Sequence, residues 1–412
     1  MSQDPFLEIL AADDPSPLLH ALRAADPVHL VEPLGFWLVT RHDDVKRLYH
    51  DPEHVSHDKR TWERHVPPTE GTMLRWAEDH GLFALGKEDH ARIRRLVSAA
   101  FTPRAVRRME GQIREVVERT AAPLRGRHGE VIDLLGEFTN VVPNTVISRI
   151  TGVPPGDDEV RFRRIAQSVI AGFLPFTPPE LQREAESGFQ ELSSWVRELV
   201  AKRRAHPEED LVTDLVHAQD ADDALAENDV VLLLSGIIGA GSETTALGGA
   251  SIVRMLLDQP EAMARLRGDR ELIQRSIDEI IRYTFSGPGG TLRFALRDFE
   301  LRGVKIRKGQ MMMLSIGGAN HDPAVYEDPD VLDLDRDVRD LPTFGNGPHY
   351  CLGANLARQE MGCMLDVLPA GSRVRADRLE FRDAGLFRRA LNLPVEIGPP
   401  PADRLPRTGP PR

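Results

Sequence analysis

The sequence predicts a mainly α fold: a large helical part carrying a smaller strand-rich part. Two observations say so. Long stretches repeat their apolar residues at helical spacing, whereas runs with strand character are short, bounded by turn residues and confined to a few places. A third observation bears on organisation. No internal repeat and no linker-like stretch divides the chain, so one unit is expected over residues 1–398, followed by a Pro- and Arg-rich, disordered tail over residues 399–412.

Taken in order, residues 28–31 and 36–39 (Val28, Leu30, Val31, then Phe36 to Val39) read as two strands with Gly35 at the turn. In residues 104–124, Val106, Met109, Ile113, Val116, Val117 and Leu124 recur at helical spacing. In residues 179–203, Leu181, Phe189, Leu192, Trp195, Val196 and Leu199 do the same. A long helix is expected over residues 230–257, with Asn228 or Asp229 as its N-cap. Another covers residues 271–283 and stops before the breaker Ser286-Gly287-Pro288-Gly289-Gly290. Strands follow at 291–295, 299–301, 304–306 and 311–315. Residues 320–343, rich in Asp and Pro, read as an ordered meander, and a last long helix starts just after Cys351.

Composition narrows the function classes. A net charge of −12 argues against nucleic acid as the main partner. Two cysteines, Cys351 and Cys363, exclude a disulfide framework and fit a reducing compartment. Residues 1–14 carry acids and no long apolar stretch, so no signal peptide is expected. The most apolar run, residues 230–241, is interrupted by Ser235 and followed by Glu243. Since a bilayer span needs about 20 mostly apolar residues, it reads as a buried core helix. The expected location is the cytoplasm, with no membrane partner.

The chemistry concentrates at Phe344-Gly345-Asn346-Gly347-Pro348-His349-Tyr350-Cys351-Leu352-Gly353. A cysteine at a helix N-terminus meets unpaired backbone N–H groups and the positive end of the dipole, which lower its pKa and favour the metal-binding thiolate. Gly345 and Gly347 allow positive φ and close approach to a flat ligand, and Gly353 keeps the start of the helix open. The blander alternative, a buried structural cysteine, fits Cys363 among Met361, Met364 and Leu365. For Cys351 the whole set of residues at fixed spacing tips the choice toward a ligand.

This loop resembles the haem loop of the cytochrome P-450 family, Phe-x-x-Gly-x-x-x-Cys-x-Gly. The resemblance extends over residues 20–395 and is to soluble bacterial members. It implies the cytochrome P-450 fold, haem b as cofactor and Cys351 as the iron ligand, a thiolate that favours O–O cleavage. Phe344 would shield the sulfur and Gly345 and Gly353 would lie against the macrocycle. His349, His90, Arg94 and Arg293 would reach its propionates: His90 and Arg94 are four apart on one helix face, and four donors suit a doubly negative edge.

Inside the long helix, Ala240-Gly241-Ser242-Glu243-Thr244-Thr245 could be no more than a Gly- and Ala-rich core segment with a polar patch. Thr244 can turn its hydroxyl onto the Ala240 carbonyl and bend the helix. The family's motif at this place implies Glu243 as the acid of a proton relay and Thr244 as the residue that steadies oxygen. Many members carry Asp where this chain has Glu243. Glu279-Ile280-Ile281-Arg282 resembles the family's Glu-x-x-Arg, with Arg336 as third partner and a structural role; Leu332 departs from the Phe many relatives carry.

Six arginines between residues 91 and 109 (Arg92, Arg94, Arg95, Arg104, Arg107, Arg108) with no acid among them are either a solvated face or a docking patch. No Gly-x-Gly-x-x-Gly opens a βαβ unit, so electrons are expected from outside. The resemblance names the donor: a ferredoxin with its ferredoxin reductase. The substrate is expected to be an apolar small molecule such as a terpenoid, steroid, fatty acid or polyketide. Its contacts would include Phe173, Leu174, Ile237, Gly289 and Leu292. The implied reaction inserts one oxygen atom from O2 by hydroxylation or epoxidation. A peroxide-driven peroxygenase and a non-catalytic haem sensor are the alternatives.

Overall fold

A computed structural model describes residues 4–12, 14–82, 85, 87–152, 161, 165, 169, 177–220, 227–365, 371–384 and 387–399, without side chains at 218–220, 227–228, 382–384 and 387–389. Phe173 and Leu174, expected at the substrate, lie outside the described residues, as do residues 400–412 of the tail.

Eight helices matter for the site: α1 (Ser16–Ala25), α2 (Lys87–Ser98), α3 (Pro103–Arg125), α4 (Val141–Ile150), α5 (Pro179–Ala205), α6 (Glu227–Leu257), α7 (Arg270–Thr284) and α8 (Ala354–Leu365). Their starts follow local chemistry. Thr102 accepts from the Ala105 N–H to cap α3, and Asp269 accepts from the Leu272 N–H to cap α7. The expected N-cap of α6 is corrected: the helix already includes Glu227, so Asn228 and Asp229 lie inside it.

Helix α6 is the axis of the helical part, packing on α4, α5 and α8. Two glycines let α8 come close: a Cβ at Gly248 would stand 2.6 Å from the Met361 terminal methyl, and one at Gly249 2.9 Å from the Met364 sulfur. By length and composition Asp229–Leu257 could cross a bilayer, yet 67% of its most apolar window is buried inside the protein. Core packing explains its apolar character.

The strand-rich part is a five-stranded sheet of β1 (Val28–Val31), β2 (Phe36–Val39), β3 (Val55–Ser56), β4 (Gly290–Ala295) and β5 (Met311–Ser315), in the order β1-β2-β5-β4-β3. Strand β2 pairs parallel with β5, Leu38 opposite Met313; the other pairs are antiparallel. Every residue of β5 is buried because the sheet has an apolar cluster on each face. Met311 and Met313 join one with Phe6, Phe36 and Phe294. Met312 and Leu314 join the other with Val39 and Ile306, the alternation a strand imposes.

The meander is clamped by the expected trio. Arg282 donates from Nε and Nη2 to both oxygens of Glu279 at 2.6 and 2.9 Å, and both side chains are wholly buried. Arg282 Nη1 donates to the carbonyls of Asn320 and Pro329 at 2.9 and 2.8 Å. Arg336 Nε completes the set on Glu279 at 3.2 Å.

Candidate functional site

The loop before α8 has the geometry its glycines allow. Gly345 and Gly347 take φ values of 68° and 71°, which side-chain-bearing residues adopt rarely. The Cys351 N–H donates to the Phe344 carbonyl at 2.8 Å and closes the loop. The Cys351 sulfur accepts from the Gly353 N–H. Nothing lies within 4 Å of where a Gly353 Cβ would point, so the start of α8 has open space beside it. Above the Phe344 ring, at 4.4 Å, sits the Arg358 guanidinium.

One expectation is corrected here. The thiol of Cys351 lies above its ordinary pKa, not below it: burial pushes it up, and the Gly353 N–H with Arg94 and Arg358 only partly offsets this. Protein crowds the sulfur on most sides although it keeps accessible surface. The helix terminus alone therefore does not create a thiolate; a bound metal ion does so outright.

Around the loop the structure gathers the basic groups named from the sequence. Arg94 on α2 donates to the Tyr350 carbonyl. Arg293 on β4 lies 5.0 Å over the Tyr49 ring, and burial lowers its pKa. The His90 ring stands 4.2 Å from that of His349. His349 is pushed down to about 3 by burial, then by His57, His90, Arg293 and Arg94. Buried His90 Nε2 has no hydrogen-bond partner. A cluster this rich in donors and cations fits a dianionic edge beside a thiol, as haem b presents.

His57, whose ring is 3.6 Å from His349, belongs to this group and was missed from the sequence. So was Tyr49, which supports Arg293 and takes a hydrogen bond from Thr291 at 2.9 Å. Both come from the N-terminal third of the chain, without a motif to mark them.

On α6, Thr244 Oγ1 donates to the Ala240 carbonyl at 2.6 Å as expected. Gly236, Ala240 and Thr244, spaced by four, form an exposed stripe along a helix otherwise mostly buried. Glu243 points elsewhere. It is buried and lines a cavity of about 220 Å³ with Asn140, Gly136, Leu247 and Leu391. Of the expected substrate residues, Ile237 is half-buried on α6, and half-buried Leu292 packs with Trp62 against the sheet's apolar cluster. The Gly289 carbonyl accepts from the Ile316 N–H at 2.9 Å, anchoring the breaker.

Comparison with known proteins decides the family. The cytochrome P-450 family model matches residues 33–368. The chain belongs to the cytochrome P-450 family. Relatives of this cytochrome P-450 include the mycinamicin IV hydroxylase/epoxidase of Micromonospora griseorubida, 34% identical over 91% of this chain and 93% of that protein. Another is the epothilone C/D epoxidase of Sorangium cellulosum, 33% identical over 85% and 84% of the two chains. A crystal structure of an epothilone D-bound cytochrome P-450 superposes with a TM-score of 0.87 at 29% identity, covering 97% of this chain and all (100%) of that one. The protein is thus a cytochrome P-450 monooxygenase of the bacterial type, with haem b as its cofactor.

Proposed function

We propose that this cytochrome P-450 inserts one oxygen atom from O2 into an apolar substrate, by hydroxylation or epoxidation, with Cys351 as the residue that would bind the haem iron. The observation that carries the reading is the accessible Cys351 sulfur, bonded by the Gly353 N–H and ringed by basic side chains. When bound, haem b supplies the redox-active iron at which oxygen is activated. Arg94, Arg293, His90 and His349, joined by His57, would hold its propionates. Phe344, Gly345 and Gly353 would flank it, and Ala240 would face it from α6. The test is the reduced, carbon monoxide-treated spectrum. Wild-type protein should give a thiolate-type Soret band, and Cys351→Ser should lose it at retained fold. A variant that kept the band would overturn the assignment.

Thr244 and Glu243 divide proton handling. The Thr244 hydroxyl holds its hydrogen on the Ala240 carbonyl in the resting arrangement and can turn to donate elsewhere. Glu243, which faces a cavity roomy enough for water and not the exposed stripe of Thr244, would refill it through that water. Thr244→Ala should lower product formed per NAD(P)H consumed on the order of tenfold or more. Unchanged coupling would remove Thr244 from the relay and favour peroxide-driven chemistry.

Electrons would come from a ferredoxin and its ferredoxin reductase. A groove lined by Arg107, Arg270, Asn355 and Arg358 runs along α8, the helix behind Cys351. Arg95, Arg104, Arg107 and Arg108 are exposed, while Arg92 pairs with Asp89 and Arg94 turns inward. Arg107→Glu with Arg108→Glu should slow reduction by ferredoxin roughly tenfold at low salt, with haem content unchanged. An unaltered rate would place the docking face elsewhere.

The relatives named for mycinamicin IV, for epothilone C/D and for polyketide biosynthesis, together with half-buried apolar Ile237 and Leu292, support an apolar substrate such as a polyketide. The buried setting of α6 and the likeness to soluble bacterial members support a cytoplasmic enzyme of one unit over residues 1–398.

A further inference from the structure

On the far side of the meander, α1 meets the chain at three side chains that can bind metals: His20, His321 and Asp330. His20 Nδ1 lies 3.1 Å from Asp330 Oδ2, and His321 Nδ1 lies 2.8 Å from Asp330 Oδ1. One ligand atom from each of the three falls within 4.8 Å of the others.

The hydrogen-bond count at His321 is the decisive point. Its Nε2 faces the Tyr283 carbonyl at 3.2 Å and its Nδ1 faces the carboxylate; both partners only accept. A neutral imidazole has one N–H, so it satisfies one acceptor and aims a lone pair at the other. The His321 side chain is 4% exposed, so the shortfall is set inside the protein. Asp14 adds a further negative charge near His20.

We propose that His20 Nδ1, His321 Nδ1 and the Asp330 carboxylate bind one divalent transition-metal cation of the Zn2+ type. The cation stands where the missing proton would be. The His321 Nε2–H then donates to the Tyr283 carbonyl, the outer-shell bond that fixes tautomer and ring orientation in metal sites. Tetrahedral zinc with bonds of about 2.0–2.1 Å spaces its ligand atoms by about 3.4 Å, so the His–Asp separations of 2.8 and 3.1 Å would open by about 0.3–0.6 Å, with all three ligand atoms already within 4.8 Å of one another. Asp330 is about half exposed, which leaves the fourth position to water.

The ligands sit on backbone that is already held. Arg23, one turn after His20, donates to the Gly318 carbonyl at 3.0 Å. Arg282 grips the carbonyls of Asn320 and Pro329, the residues just before His321 and Asp330. The site therefore clamps α1 to the meander with little new ordering, and its role is structural.

The test uses haem-loaded full-length protein, treated with chelator, equilibrated with zinc chloride and desalted. Wild type should retain one zinc per chain beyond the haem iron, and saturating zinc should raise its thermal midpoint by roughly 2–4 °C. His20→Ala and Asp330→Ala, both at partly exposed positions, should each lose the retained zinc and the shift at unchanged haem content. His321→Gln probes the buried ligand, and the other two variants keep the test valid if it fails to fold. Wild-type protein that retains no zinc would overturn the proposal. So would equal retention and an equal shift in the His20→Ala/Asp330→Ala double variant, which would leave only a hydrogen-bonded triad.

Discussion

Replacing Arg282 with alanine should destabilise the protein by about 3–5 kcal/mol, the range for breaking a buried pair by removing one partner. The magnitude follows from what is left behind. Glu279 is wholly buried and would keep its charge with only Arg336 Nε and the Asp333 N–H to balance it. The carbonyls of Asn320 and Pro329 would lose the donor that joins two separate turns of the meander. The Tyr326 ring, 5.1 Å from the guanidinium, would lose its packing partner. Arg336→Ala should cost far less, about 1–2 kcal/mol, because Arg282 still neutralises Glu279. Thermal midpoints and the yield of soluble haem-loaded protein measure both. An Arg282→Ala protein within about 1 kcal/mol of wild type would mean that the trio contributes little, as some buried pairs do when water reaches them. The order of the two variants separates the buried charge from the helix–meander contact they share.

That trio was legible because Glu-x-x-Arg is local and its third partner lies in a stretch with its own pattern. The Cys351 loop was legible for the same reason: glycines, a proline and a cysteine at fixed spacing state a backbone conformation, and φ values of 68° and 71° at Gly345 and Gly347 meet it. Elements with a strong period also came through, among them β1, β2, β5, α3, α5 and the body of α6. Features set by distant contacts did not. His57 joins His349 across almost the whole chain, and a lone histidine carries no spacing to read. The three-residue strands Val131–Asp133 and Pro394–Glu396, which pair with each other, owe their existence to the partner and not to propensity. The pKa of Cys351 was read in the wrong direction because a sequence shows the helix start but not the depth of burial, and here burial is the larger effect.

Burial also decides the behaviour of a group with no role in the proposed chemistry. Glu360 on α8 is 2% exposed, one of its oxygens has no hydrogen-bond partner, and desolvation pushes its pKa up to about 8. At neutral pH it is therefore protonated in the folded protein. The unfolded chain releases that proton near the ordinary value of 4.5. Between those two values the folded state binds more protons than the unfolded state, so stability must fall as pH rises, with a slope approaching about 1.4 kcal/mol per pH unit. The contribution is fully present below pH 4.5 and lost as pH climbs through about 8. Glu360→Gln keeps the shape and removes the titration. Relative to wild type, it should gain stability on the order of a few kcal/mol between pH 5 and pH 8, read as diverging thermal midpoints of the haem-loaded proteins. Parallel curves across that window would mean that Glu360 ionises without penalty and has a compensating partner or water. Asp at this position would not serve as a control, because the shorter side chain changes the packing of α8 against α6 as well as the charge.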